Sequence, residues 1–377
     1  MTNTNKGTGI VCEYNPFHKG HAYQIQKVKE MGARFVVCAM SGDFTQRGEA
    51  AFQDKKVRAE NAVNNGADIV LEIPFPFSSM SAEGFARAGI HILEGCGLCD
   101  SFAFGSECAD IDKLLCVAAL LDESFHKEVL ELQKTNKNLS YAKAREMLVE
   151  GRLGAEYAGI LISPNDILAI EYLKANKKLF PIAIKRETPR GGRDEHFASS
   201  SYIRNNLFAD DNRQSALDGL CENNNFDAIF PDNTAFCNHI HLSLMQKSPL
   251  ELSGICEVSN GSEYSIIKNA KKAENYGELL KLLASKTATD AKIRRMLLFS
   301  FFGVAKETAK SVPLYTEVLA TSEKGRKMLK EYAGDRNIIV ASRAGEIKKD
   351  EEALFQYNFS RLASEVLYKC RKQTYKA

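Results

Sequence analysis

Apolar positions change texture along the chain. Over about the first 205 residues, short continuous apolar runs alternate with stretches in which apolar residues recur every three or four positions. A glycine, proline or small polar residue marks nearly every boundary. The runs are residues 10–12, 35–40, 69–73, 101–104 and 180–184, and the helical stretches are 22–31, 53–65, 81–93 and 164–175. FVVCAM at 35–40 is apolar throughout, as a strand covered on both faces requires, so the sheet is predicted parallel. Strands alternating with helices of this length predict a doubly wound, Rossmann-like α/β fold, whose ligand sits outside the carboxyl ends of the strands. The loops at residues 18, 41–48, 72–79 and 105–107 then share one edge.

Two segments depart from this alternation. Residues 111–156 carry helical periodicity and many charges but no strand, which predicts a helical insertion. From 206 to 377 the pattern is mostly helical, with one modest strand candidate at 338–340. The expected organisation is an α/β domain over 1–205 and a mostly helical domain over 206–377, and 377 residues can bury two or three cores. Residues 187–195 interleave glycine and proline with charges and predict a mobile loop.

Chemistry concentrates at 9–21, GIVCEYNPFHKGH. The strand runs into an Asn15-Pro16 turn, which delivers His18-Lys19-Gly20-His21 to a helix start. Unpaired N–H groups and the positive dipole end favour phosphate there, and Gly20 lets the backbone come close to a ligand. Two imidazoles three positions apart can reach one phosphate chain and stabilise charge developing on it. The alternative, two hydrogen-bonded structural histidines, fits the surrounding strand, turn and helix less well.

Charge and cysteine usage narrow the class. The formal net charge of +2 means that a nucleic-acid partner needs a local patch. Between Tyr264 and Lys330 there are 14 Lys and Arg against 6 Asp and Glu, which suits a phosphate backbone or a solvated helical face equally. Ten cysteines scattered through apolar runs read as reduced, buried thiols of a cytoplasmic protein. Cys96-x-x-Cys99 has no second such pair, so no zinc site is expected. No apolar leader or stretch of ~18 apolar residues is present, so neither secretion nor a membrane span is expected.

Other candidates sit at the same predicted edge. Arg47, in SGDFTQRGE, is an anion contact or an ordinary turn arginine. Lys55, Lys56 and Arg58 open a helix where acids are usual. Gly105 permits close approach to adenine or ribose, or merely turns the chain. Asn165 offers an amide to a base edge, or simply begins a helix that Ser163 caps, Pro164 starts and Asp166 favours. Arg186 can clamp phosphate or is a surface arginine. Ser199, Ser200 and Ser201, followed by Arg204, lie at a further helix start where the serines can hold pyrophosphate, although capping alone explains one of them.

His-x-Gly-His in this setting resembles the HIGH-type motif of the nucleotidylyltransferases. GIVCEYNPFHKGHAY, SGDFTQRGEAA, GADIVLEIPFPFSSMSAEGFA, FGSE, SPNDILAIEYLKA, the IKR run and SSSYIR, in this order, resemble the tRNA(Met) cytidine acetate ligase family. TDAKIRRMLL and PLYTEVL continue the likeness more loosely. It departs at 259–266, SNGSEYSI where the family reads close to SEGLENRI, and at Glu317, where arginine is expected. The resemblance implies that ATP activates acetate as acetyl-adenylate with release of pyrophosphate. Acetyl then passes to the exocyclic amine of the wobble cytidine of elongator tRNA(Met), and AMP leaves.

It further implies an ATP site at Ile10, Val11, Cys12, Glu13, Tyr14, Asn15, Pro16, Phe17, His18, Lys19, Gly20, His21, Ala22 and Tyr23, with Gly105, Asn165 and Arg186. His18 and His21 take the phosphate-stabilising role and Lys19 adds charge. Arg47, Ser200 and Arg204 are candidate substrate or phosphate contacts from their place at the predicted edge, and residues 206–377 are the candidate tRNA-binding half. Mg²⁺ usually accompanies ATP phosphates. No DNA partner is implied. Two other readings remain open at this point: a small-molecule adenylyltransferase, and a non-catalytic RNA-binding protein with a relict ATP fold.

Overall fold

The computed structural model describes residues 6–136, 139–187, 197–209, 211–285 and 288–374. Seven strands form one sheet: β1 (Gly7–Cys12), β2 (Val36–Ser41), β3 (Ile69–Ile73), β4 (Cys99–Ser106), β5 (Phe180–Lys185), β6 (Tyr315–Thr321) and β7 (Ile339–Ala341). Their spatial order is β5-β4-β1-β2-β3-β6-β7. The five strands predicted from sequence are β1 to β5, all parallel to one another. All six residues of β2 are buried, which accounts for its unbroken apolar run. The chain lays down β1, β2 and β3 in one direction, then returns to place β4 and β5 on the other side of β1. That reversal, between β1 and β4, is where a doubly wound sheet opens a ligand crevice.

Helices α1 (Lys19–Glu30), α2 (Lys55–Asn64) and α3 (Ala82–Gly95) connect the first four strands. A Cβ on Gly89 of α3 would stand 2.6 Å from Val11, so only glycine lets this helix lie so close to β1. The described residues of the predicted insertion form helices: α4 (Ile111–Leu120), α5 (Glu123–Thr135), α6 (Tyr141–Leu153) and α7 (Ala155–Ile160). It leads to α8 (Pro164–Ala175), which packs on α3 and α4 before β5. Of the loop predicted at 187–195, all but Glu187 lies outside the described residues.

The second half begins with α9 (Ser200–Asn206), α10 (Arg213–Asp218), α11 (Thr234–Leu244) and α12 (Pro249–Ser253). It continues through α13 (Ser262–Lys272), α14 (Tyr276–Leu283) and α15 (Asp290–Phe302), and after β6 come α16 (Glu323–Glu331) and α17 (Glu351–Thr374). The sequence reading found one strand here and missed β6. β6 lies antiparallel to β3 and carries β7 parallel beside it, so the sheet does not end with residue 205. Thr316 Oγ1 donates to the Glu72 carbonyl at 2.7 Å and fastens the new edge. A boundary near 205 therefore separates textures of sequence but does not divide the sheet.

One apolar core lies under α3, α4 and α8, and a second fills the opposite face beneath α1 and α2. A third belongs to the helical half, and Phe44, Phe75 and Met80 of the first half enter it. Phe44 and Phe75 lie 5.0 Å apart by ring centroid and meet Phe236, Phe302 and Phe359. The predicted sharing of one edge by four loops is thus modified. The 72–79 loop leads Phe75 into helical packing, while the other three reach the crevice.

Candidate active site

Two cavities meet at the carboxyl ends of β1 and β4. The smaller, about 270 Å³, is polar and includes His18, His21, Arg47, Asn165, Arg186, Ser200 and Arg204 in its lining. The larger, about 590 Å³, runs from Val11 and Cys12 past Gly105 to α8. Asn15, His21, Asn165, Arg186 and Arg204 belong to both. The first has the donors for a phosphate chain, and the second has the size and apolar walls for a nucleoside.

His18 caps α1. Its Nδ1 accepts the Gly20 N–H at 3.1 Å, while the His18 N–H donates to Nδ1 of His21 at 3.3 Å. The rings stack 3.6 Å apart. With each Nδ1 occupied as an acceptor, the neutral imidazoles carry their proton on Nε2. Burial, helped by Arg186 and Arg204, pushes His18 down to about 3, and burial with His18 and Arg186 lowers His21 well below its ordinary value. Both rings are therefore neutral N–H donors at physiological pH. Charge comes instead from the arginines.

The backbone beneath this pair is anchored by Arg58, which is fully buried in α2. Its guanidinium donates to the carbonyls of Glu13, Ser41, Gly42 and Gln53, tying the end of β1 to the end of β2. That is why a cation opens α2. Lys55 beside it pairs with Glu72 at 2.7 Å and Asp43 at 3.5 Å. Burial opposes the Lys55 ammonium, but Glu72 and Asp43 outweigh it and its pKa is raised. One ammonium cannot neutralise every carboxylate around it. Burial, reinforced by Glu317 and Asp43 and resisted by Lys55, lifts Glu72 to about 7.

The far wall is built around Glu107. Its Oε1 accepts from Asn165 Nδ2 at 2.8 Å and lies 3.8 Å from Arg186 Nε. Arg186 crosses over Gly105, where a Cβ would stand 3.1 Å from its side chain. Asp166 fixes this corner from below, accepting from Ser106 Oγ and from the Cys108 N–H at 3.2 Å. Asp166 is 1% exposed, so its work is this clamp more than a dipole contact at the surface.

Not every residue expected at the site reaches it. Ile10, Pro16 and Phe17 are buried beneath the loop, and Ala22 packs against the core under α1. Gly20 contributes its N–H to His18. Tyr23 donates to Glu187 at 3.0 Å outside both linings. Lys19 is exposed, its N–H donates to the Gly219 carbonyl at 3.0 Å, and it lines neither cavity. Helical geometry explains this, since positions 18 and 21 lie on one face while 19 is about 100° away.

The sequence reading also missed residues that do reach it. Thr289, Ala291 and Arg295 of the α15 region line the larger cavity, with Arg295 Nε 3.0 Å from Glu257 Oε1. Two adjacent arginines within the apolar TDAKIRRMLL helix were the available signal. Among the described residues there is no group of three or more His, Cys, Asp or Glu side chains able to hold a metal ion. No helix among them is long and apolar enough to cross a membrane.

Comparison with known proteins agrees with this geometry. The profile of the HIGH Nucleotidyl Transferase family matches residues 5–377. The tRNA(Met) cytidine acetate ligase of Thermoanaerobacter pseudethanolicus is 34% identical over 373 residues, covering 90% of this chain and 89% of the relative. That of Lysinibacillus sphaericus is 34% identical over 363 residues, with 90% and 89% coverage. A crystal structure of Thermotoga maritima TmcAL bound with alpha-thio ATP superposes with a TM-score of 0.85 at 28% identity, over 96% of this chain and 94% of that one. The chain therefore belongs to the HIGH nucleotidyl transferases and, within them, to the tRNA(Met) cytidine acetate ligase family.

Proposed function

We propose that the protein activates acetate with ATP and acetylates the exocyclic amine of the wobble cytidine of elongator tRNA(Met), releasing AMP and pyrophosphate. The observation that carries the proposal is the neutral histidine pair, tautomer fixed by backbone N–H groups, in one polar cavity with Arg186 and Arg204. Adenosine occupies the larger cavity, with Gly105 and Asn165 at its rim. The phosphates cross into the smaller one, and Mg²⁺ travels as part of the ATP substrate on the phosphate oxygens. When an acetate oxygen attacks the α-phosphate, charge gathers on phosphate oxygens. The Nε2–H groups of His18 and His21 and the guanidinium of Arg186 are positioned to stabilise it. Arg47, Ser200 and Arg204 assist the departing pyrophosphate. Residues 206–377 serve the tRNA, and a tRNA substrate places the reaction in the cytoplasm.

The test is mass spectrometry of nucleosides from unmodified elongator methionine tRNA incubated with the protein, ATP and acetate. Acetate-dependent acetylcytidine at the wobble position is the expected outcome. Pyrophosphate release that requires a phosphorylated metabolite in place of acetate would instead make the protein a small-molecule adenylyltransferase.

A further inference from the structure

A third cavity, of about 720 Å³, opens beside the phosphate cavity and between it and the helical half. The two share Asn15, Glu49 and Arg204. Phe52, Phe230 and Tyr276 supply aromatic surface, and Asn238 and Asn275 supply amides. Flat rings interleaved with amides are what an unstacked base requires, whereas a small anion needs only cations.

Glu49 is the carboxylate common to both linings. It sits on a closed turn in which Thr45 N–H donates to the Glu49 carbonyl at 2.9 Å and Phe44 bridges Ala50. Gly48, at φ +73°, presses this turn onto α15, where a Cβ would stand 2.6 Å from the Arg295 nitrogen. Arg294 holds Glu49 Oε1 at 3.0 Å. The carboxylate is therefore fixed in place at the doorway. Glu13, the other acid of the phosphate cavity, accepts the Gln46 N–H at 2.7 Å and does not line the third cavity.

We infer that the third cavity receives the acceptor cytosine and that Glu49 accepts the hydrogen of its exocyclic amine. This rests on the acetyl-transfer reading above. A carboxylate accepting from that amine is also how proteins distinguish cytosine, because uracil presents a carbonyl oxygen there. The amine nitrogen is a weak nucleophile, and its N–H becomes strongly acidic only as the bond to the acyl carbon forms. The N–C bond forms, the proton passes to Glu49, and the acyl C–O bond of the adenylate breaks. AMP departs with the electron pair, and Glu49 then returns its proton to solvent.

The experiment measures acetylcytidine formed per pyrophosphate released, using the full chain, ATP, acetate and unmodified elongator methionine tRNA. Glu49→Gln is expected to lower this ratio about 100-fold, the scale of a lost general base, and Glu49→Asp to recover part of it. Tyr276→Leu is expected to raise the KM for tRNA about 10-fold, as a lost stacking surface does. A partly unfolded sample loses both products together and leaves the ratio intact. An unchanged ratio in Glu49→Gln, or an unchanged tRNA KM in Tyr276→Leu, overturns the inference while leaving adenylate formation standing. Absence of acetate-dependent pyrophosphate release from the unaltered protein overturns the acetyl-transfer reading itself, and this inference with it.

Discussion

The two nitrogens of His21 do different work, and a substitution can separate them. Nδ1 accepts the His18 N–H at 3.3 Å, closing a reciprocal cap at the start of α1. Nε2, protonated in the neutral ring, is the group that the proposed mechanism offers to phosphate. Asparagine can set an amide oxygen near the position of Nδ1 but has nothing near Nε2. Alanine removes both. Losing the cap costs about 1 kcal/mol of stability, whereas losing a donor to the transition state costs about 2.7–4 kcal/mol, or 100- to 1,000-fold in rate. His21→Asn is therefore expected to unfold at nearly the original urea midpoint while acetate-dependent pyrophosphate release falls at least 100-fold. His21→Ala is expected to lose rate by a similar factor and about 1 kcal/mol of stability as well. If His21→Asn keeps its rate within about 5-fold, the ring is only a cap, and the assignment of His21 to phosphate is wrong.

Two further perturbations test the ground beneath the site. Arg58→Lys puts three donors on one nitrogen where a planar fork now reaches the carbonyls of Glu13, Ser41, Gly42 and Gln53. One or two buried carbonyls then go unpaired, so the urea midpoint should report a loss of about 2–5 kcal/mol, and an unchanged midpoint would refute the anchoring role. Glu72, lifted to about 7 from an ordinary 4.5, keeps in the folded state a proton that the unfolded chain releases. Its contribution to stability is present below pH 4.5 and is lost as pH rises through 7. Glu317→Gln removes one like charge, so the decline in urea midpoint between pH 5 and 8 should become shallower; equal slopes would dismiss the coupling.

What the sequence makes legible is whatever depends on near neighbours. The strand–helix alternation, the cap and glycine around the histidines, and the Ser-Pro-Asn-Asp start of α8 are local patterns with local causes. β6 is not local. Its partner β3 lies more than 240 residues earlier, and Tyr315–Thr321 carries a glutamate that breaks its apolar character. That glutamate faces the buried group of Lys55, Glu72 and Asp43, none of which its own neighbourhood announces. The same distance hides Arg295, which enters the cavity of about 590 Å³ from α15. The position of Lys19 was within reach of helical geometry alone, since it cannot share a face with both histidines.

The loop that carries Arg47 and Glu49 shows why the second half of the chain is part of the site's construction. Ser364 of α17 donates to Asp43 at 2.6 Å, and Tyr368 Oη lies 2.9 Å from Asp43 and also meets Asp54, sharing its one hydrogen between them, so α17 grips the loop at both ends. Arg371 bonds the Ala51 carbonyl and Asn233, and lies 4.1 Å from the Phe230 ring centroid in the wall of the third cavity. Gly48 rests on α15. Residues 1–205 by themselves would leave the hydrogen-bonding edge of β3 open, and Phe44 and Phe75 without the cluster that buries them. The helical half thus closes the sheet, covers the aromatic side chains and fixes the turn between the small polar cavity and the third one. Acid, amide and aromatic groups at that junction hold their positions because two distant parts of the chain pack around a single loop.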